Sequence, residues 1–293
     1  MTRMGDVLAG IHSTWEFDTD SVLIRFERGM RTPKLFQVLG ERRIPYEALS
    51  SVDLTPGPRK GTVVLHAVPR LGADPLLDAA AGQLRASADP YRLLLPVERE
   101  TLADYYATEL RSALGPRADE AADEHLVAAP PAPLQFKAYD GKVSFDGSVV
   151  SFRWFWTGAS SAKWKAGDQS FPVTELAEVE WRSPEIAGGH LRLRRRGKDG
   201  KPVDGEGPAD QDPAAVVFGL GYGLVHESLP LAAAVLEAVR AAEPAGAVAA
   251  HRNHRADPKD IANRIRHLGE LHSAGLLTDK EFTTKKTELL AEL

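Results

Sequence analysis

Apolar and polar positions alternate over short runs through most of the chain, and the period changes near the ends of its two halves. Val22–Phe26 and Val149–Phe152 are β-branched and aromatic runs that follow the turn-forming stretches at 18–20 and 146–147. Such runs predict half-buried strands. Thr62–Leu65 and His190–Leu193 alternate, turning one face inward and leaving the other wet. Counting comparable segments predicts about seven strands in each half. A helical period then takes over. Leu102, Tyr105, Tyr106, Leu110 and Leu114 fall on one stripe with Gly115 as its stop, and Leu229, Ala232, Val235, Leu236 and Val239 form the equivalent stripe later on.

The two halves also read alike residue by residue. Arg43–Leu54 matches Ser170–Trp181 without a gap, aligning Pro45 with Pro172, Leu49 with Leu176 and Val52 with Val179. Trp15–Phe26 resembles Val143–Trp154 with one residue deleted. The run from Gly61 pairs with that from Gly189, and the run from Asp89 with that from Asp212. Four pairings in one order indicate a duplicated domain. Between the copies, Pro116–Leu134 passes from acidic, alanine-rich sequence into a proline cluster and reads as a semi-rigid linker. Arg70–Ala88 and Gly197–Gln211 read as low-order insertions at a common loop position. Glu243–Ala256 reads as a second linker.

The last residues carry strong helix punctuation. Asp257 suits an N-cap before Pro258. Ile261, Ile265, Leu268 and Leu271 form one stripe, and Gly275 suits a left-handed stop. Thr278 with Glu281 makes a capping box for a second helix, whose apolar residues are Phe282, Leu289, Leu290 and Leu293. This helical hairpin is smaller than the roughly 40 residues below which a lone core rarely holds. Its apolar face, which with Leu276 comprises Ile261, Ile265, Leu268, Leu271, Phe282, Leu289 and Leu290, is expected to pair with other copies of the chain or with a partner, the alternative being docking on the chain's own repeats.

Leu268, Leu271, Gly275, Thr278, Glu281, Phe282, Lys285 and Leu289–Leu290 resemble the bacterial short C-terminal domain, SHOCT, which implies oligomerisation or tethering. Seven strands and a closing helix form a pleckstrin-homology-like plan. The segments Ile44–Val52 and Phe171–Val179, with the later Asp-Pro strands, resemble a bacterial tandem family of unknown function with that fold, often found ahead of such a tail. The expected fold is therefore mainly β with α: two tandem PH-like domains over 1–115 and 135–242, linkers over 116–134 and 243–256, and an α-helical hairpin over 257–293.

Composition narrows the function. A net charge of -5 argues against a global nucleic-acid-binding surface. The absence of cysteine excludes disulfides, thiolate catalysis and Cys-based zinc sites. No run approaches the roughly 18–20 apolar residues of a membrane span, and no apolar core follows the N-terminal arginine, so the expected location is cytoplasmic. His251 and His254 have a metal-like spacing, yet their surroundings read as a polar linker. Phe218–Gly223 lacks the P-loop spacing and reads as a glycine turn after the last strand. No catalytic motif is present, so no catalytic residue, metal or cofactor is expected.

Two surface features suggest contacts. Arg192 and Arg194, expected on the outer face of a strand, with Arg195, Arg196 and Lys198 at its end, suit a polyanion; their other reading is a strand edge guarded by charge. Trp156 and Trp164 with Lys165, in a cluster that also holds Arg153, Trp154, Phe155 and Lys163, suit a membrane interface or a protein hot spot. Alternation would instead give Trp154 and Trp156 to the core. The expected function is a non-enzymatic scaffold: the PH-like domains bind a protein or ligand, and the tail makes a homo-oligomer. The alternative is a peripheral membrane module that binds anionic lipid through copy two. An enzyme is a remote third reading.

Overall fold

Asp146 closes the turn at the start of the second copy's central hairpin: its Oδ1 accepts the Ser148 and Val149 amides at 2.8 Å each. A computed structural model describes residues 6–197, 200–203 and 207–242. The expected hairpin over 257–293 and the linker before it lie outside the described residues.

The first repeat comprises β1 (Asp6–Ala9), β2 (Ser13–Phe17), β3 (Ser21–Phe26), α1 (Lys34–Leu39), β4 (Glu41–Pro45), β5 (Leu49–Pro56), β6 (Thr62–Pro69), α2 (Pro75–Ala80), β7 (Arg92–Pro96) and α3 (Glu100–Ala113). The second comprises β8 (Leu134–Lys137), β9 (Gly141–Phe145), β10 (Val149–Trp154), α4 (Ser161–Ala166), β11 (Gln169–Pro172), β12 (Leu176–Arg182), β13 (His190–Arg195), β14 (Ala215–Val217) and α5 (Val225–Ala241). Each repeat thus has seven described strands and a closing helix. The strands form antiparallel meanders, β1-β2-β3-β4 with β5-β6-β7, and β11-β10-β9-β8 with β12-β13-β14.

The repeats share small irregularities as well as strands. β5 is bulged between Leu49 and Ser51, and β12 between Leu176 and Glu178. The two sheets of each repeat are joined by one backbone hydrogen bond, Ile11 N–H to Leu94 O at 2.7 Å and Tyr139 N–H to Val217 O at 3.0 Å. Pairing of Val52 with Ala67 and of Val179 with Leu193 makes Ala67 and Leu193 equivalent. This moves the sequence alignment of the Gly61 and Gly189 runs by two residues. An even shift keeps every side chain on its face, so alternation alone did not reveal it.

Repeat one's closing helix also departs from the expected stripe. Ala103, Tyr106, Ala107 and Leu110 are its buried residues, while Leu102 and Tyr105 are exposed. Tyr106 and Leu110 of the expected stripe stay on the contact face, and two alanines, small enough to let the helix lie close to β5, take the places of Leu102 and Tyr105.

Arg70–Ala88, expected to be a low-order loop, is built around buried polar groups. Asp74 caps α2 by accepting the Leu76 amide at 2.9 Å and pairs with Arg42 at 2.7 Å. Tyr91 donates to the same carboxylate at 2.6 Å. Burial raises the Tyr91 phenol well above its ordinary range, keeping it a neutral donor. The charge thereby loses its water but keeps three partners, which is the condition for burying it.

α2 belongs to repeat one in sequence and to repeat two in packing. Its Leu76, Ala79 and Ala80, with Leu35 of α1, lie in the hydrophobic cluster formed by repeat two's sheets and α5. The Gln83 amide donates to Trp181 O at 3.1 Å and accepts Ser183 N–H at 2.8 Å. Arg240 on α5 donates back to Gly72 O at 3.0 Å and Asp123 O at 2.8 Å. The connection over 116–134 is fastened along this joint: Val127 is buried in repeat one, and Ala129 N–H donates to Glu237. Proline content suggested a spacer, whereas Ala122 and Val127 act as apolar pegs that composition hides. Residues up to Ala242 consequently behave as one compact unit.

Calorimetry should therefore show one unfolding transition for both repeats. Leu76→Ala should cost about 2–5 kcal/mol and lower that transition without splitting it. Two separated transitions would mean that the joint is weaker than the repeats it connects.

Candidate functional site

The two expected surface clusters have different fates. Arg192, expected on an open face, is buried: Nη2 donates to Gly207 O at 2.7 Å, and Nε lies 3.1 Å from Asp212. Arg194 donates to Glu180 at 2.8 Å and lies 3.5 Å from Glu178. His190 Nε2 lies 3.2 Å from the other Glu180 oxygen, while its Nδ1 lies 2.7 Å from Gly188 O. Cross-strand registry explains this, because β12 sets Glu178 opposite Arg194 and Glu180 opposite Arg192. Arg196 donates to Leu176 O, and the Arg195 guanidinium sits 5.2 Å from the centre of the Phe171 ring. Lys198 lies outside the described residues. The expected polyanion site is thus largely an internal ladder of opposite charges.

That ladder has a counterpart in repeat one. His66 pairs with Asp89 at 3.1 Å as Arg192 pairs with Asp212. In both copies the aspartate also caps its own turn, accepting the Tyr91 and Ala214 amides. A side chain of β6 or β13 clasped to the aspartate of the turn before the third strand is therefore a structural element of the repeat.

The aromatic cluster divides. Trp154 is buried, and its indole donates to Gly167 O at 2.7 Å. Trp156, which alternation allowed in the core, is 76% exposed because it falls in the turn after β10 has ended. Trp164 is 49% exposed, and the two indoles meet edge to face with centroids 5.0 Å apart. Lys165 is exposed beside Trp164.

Lys163, the residue before Trp164 in α4, is fully buried. Its Nζ is 2.5 Å from Asp140 Oδ2 and 5.0 Å from the Trp154 ring centre, while Asp140 Oδ1 accepts Val217 N–H at 3.1 Å. Burial pushes Asp140 up and Lys163 down, and each ion opposes that push on the other. The aligned positions in repeat one hold Phe26 and Phe36, stacked 4.7 Å apart. A phenylalanine pair in one copy is thus a tryptophan–lysine pair in the other, with Asp140 replacing His12 as the neighbour. The unused sequence signal was a lysine in α4 at the position that Phe36 occupies in α1.

A cleft of about 570 Å³ opens where the repeats meet, between Lys34, the Pro184–Gly189 turn, Phe218–Gly221 and the start of α5. Gly221 and Gly223 have φ of 78° and 65°, so the glycine run is the turn that its spacing predicted. Burial holds the imidazole of His226, at the first turn of α5, below its ordinary pKa against the opposing pull of Glu227, and Lys34 adds to the lowering. Among the described residues no three His, Asp or Glu side chains converge as a metal-binding group, and no helix is long and apolar enough to cross a membrane.

A family profile described as "Domain of unknown function (DUF4429)" matches the chain twice, over residues 15–111 and 143–236. The chain belongs to this family. The two matches cover well over half of the chain and coincide with the two structural repeats. No curated protein matches it.

Removing Lys163 alone should strand a buried carboxylate. Lys163→Met is expected to cost about 3–5 kcal/mol, and adding Asp140→Asn, whose amide oxygen still accepts Val217 N–H, should recover most of that loss. Urea denaturation of both variants checks this. Glu180 differs: burial pushes its carboxyl up, but Arg194 and His190 hold it below its ordinary value of 4.5. A depressed acid stabilises the fold above its unfolded value, and that stability is lost as the pH falls. Glu180→Gln should therefore cost about 1 kcal/mol at neutral pH, with the difference shrinking as the pH falls below 4.5.

Proposed function

We propose that this DUF4429 protein is a non-enzymatic scaffold, in which a rigid pair of PH-like repeats offers a binding surface and the SHOCT-like tail joins copies together. The observation that carries the reading is the interleaved joint: α2 of repeat one is part of repeat two's core, so the pair is a single body with fixed faces. Most buried charges in that body have partners within it. Arg42 with Asp74 and Lys163 with Asp140 are internal pairs. The exposed Trp156 and Trp164 remain as large apolar side chains with no structural duty of this kind. Aromatic anchors at a surface are the residues that carry binding energy at interfaces.

The PH-like reading is supported by the layout, a four-stranded and a three-stranded antiparallel sheet closed by a C-terminal helix in each copy. The tail's role rests on its sequence alone, in which Ile261, Ile265, Leu268, Leu271 and Phe282 recur at helical spacing within a segment too short to bury them by itself. The cytoplasmic location, and a protein or other ligand for the repeats, belong to the same proposal.

Light scattering behind size exclusion tests it on the full chain and on a chain ending at Ala242, where the compact unit ends. The full chain should be a multimer and the shortened chain a monomer. Two monomers would remove self-association from the proposal. A shortened chain that still assembles would move the contact to the repeats.

A further inference from the structure

We infer that the end of repeat two that carries Tyr139 and Trp156 docks on an anionic lipid bilayer. The inference rests on the binding-scaffold reading and supplies its partner.

Charge on the outer face of the larger sheet gathers at that end. Register sets Lys137 of β8 opposite Lys142 of β9, and Lys142 opposite Arg153 of β10. Like charges set directly opposite one another destabilise a sheet. The next outward row along the strands is Gln135, Ser144 and Ser151, which is uncharged. Arg153 approaches Asp168 only to 4.0 Å, with both side chains well exposed. Asp168 beside Arg153 offsets one of the row's three cations, and Lys165 is a further exposed cation in α4 of the same repeat. The row's charge is not that of the whole chain, which is -5. The three cations gain most from a partner with several negative charges in one plane.

The aromatic tips lie just beyond this row. Tyr139 is the tip of the β8–β9 hairpin and Trp156 the turn after β10; both are more than half exposed. The two turns touch, since Phe155 N–H donates to Asp140 O, and a side chain at Gly158 would collide with the Tyr139 carbonyl. Tyr222 lies 6.4 Å from the Tyr139 ring, and its neighbour Leu220 is fully exposed. Tyr139, Trp156 and Tyr222 sit on loops, while Leu220 also edges the cleft where the repeats meet. Lys137 and Arg153 precede Tyr139 and Trp156 by two and three residues, which sets the cations roughly 7–10 Å behind the tips. That offset matches the depth to which apolar side chains enter the headgroup boundary while cations stay at its surface. Tryptophan and tyrosine prefer that same layer.

Repeat one supplies an internal control. Its aligned row is Ala9, Thr14 and Arg25, in which Arg25 is paired with Glu16 at 2.8 Å. Its aligned tip residues are Ile11 and Arg28. The same fold therefore exists without the cation row and without the tryptophan, so neither is needed to build it.

The test uses the full chain in co-sedimentation with phosphatidylcholine vesicles, with and without phosphatidylserine, while tryptophan emission is followed. Binding should need phosphatidylserine, weaken with salt and shift the emission to the blue. Lys137→Ser/Lys142→Ser/Arg153→Ser should lower partitioning by roughly a hundredfold, at about fivefold per cation. Trp156→Ala/Trp164→Ala should abolish the shift. All five side chains lie on the outer surface, and circular dichroism confirms that the variants fold. Binding that ignores phosphatidylserine, or that both variants retain, overturns the proposal. Binding to a polyglutamate peptide with none to either vesicle also overturns it, yet leaves the scaffold reading intact with an acidic protein as its partner. Binding to neither probe overturns it too, while assembly through the tail is judged separately by light scattering.

Discussion

Helix α5 is apolar around too much of its circumference for one sheet to cover. Every residue from Ser228 to Val235 is buried, a run of more than two turns, so all sides of the helix are enclosed there. A helix buried all round needs neighbours on every side. Repeat two supplies β12 and β8, while repeat one supplies α1 and α2. The one polar side chain in the run, Ser228, accepts the Trp181 indole at 3.0 Å and donates to Gly223 O at 2.9 Å. Most other features of the joint follow from this demand. α2 must be held over α5, and the Arg42–Asp74–Tyr91 group fixes the start of α2. The connecting segment then lies where Arg240 and Glu237 can bind its backbone.

The same demand explains why the copies differ although their strands and bulges agree. α3 in repeat one packs on β5 and β6 of its own repeat and stacks Tyr106 on Phe17 of β2, so it buries a narrow face made of Ala103, Tyr106, Ala107 and Leu110 and leaves Tyr105 in water. α1 must present Leu35 to the other repeat, whereas the aligned residue of α4 is Ala162. With no second repeat to cover, α4 turns Trp164 outward and buries Lys163 instead. A buried lysine at that position is tolerated because Asp140 and the Trp154 face replace the water it loses. Duplication thus produced one copy specialised for covering its neighbour and one whose free end has different chemistry.

Strand number, closing helices and the repeat itself were legible in the sequence because they depend on local alternation and on matches such as Leu49 with Leu176. The joint was not. Leu76, Ala79 and Ala80 read as part of a loop because their burial depends on α5, about 150 residues away in sequence. Asp74 carries no local sign of its burial, because Arg42 and Tyr91 reach it only through the fold. The basic run at 190–196 showed the complementary difficulty. Its cations were visible, but Glu178, Glu180 and Asp212 become their partners only when β12 and the turn before β14 are set beside β13. Likewise Lys137, Lys142 and Arg153 are scattered along the chain, and only the register of three strands makes them a row. Trp156 and Trp164 were legible as aromatics near cations, but which faced inward depended on where β10 stops.

Rigidity gives the scaffold reading its physical content. Two independent domains on a flexible linker would spend ordering entropy each time both engaged a target. Repeats that share a core have already met that cost on folding, so their exposed ends keep a fixed separation and direction. One aromatic and cationic end on such a body would make a weak, directional contact. A tail that joins several bodies would present several such ends together, and linked sites can exceed single-site affinity by roughly 10²–10⁴ when the geometry lets them engage at once. The shared core fixes the direction of each contact and the tail would set their number; neither substitutes for the other.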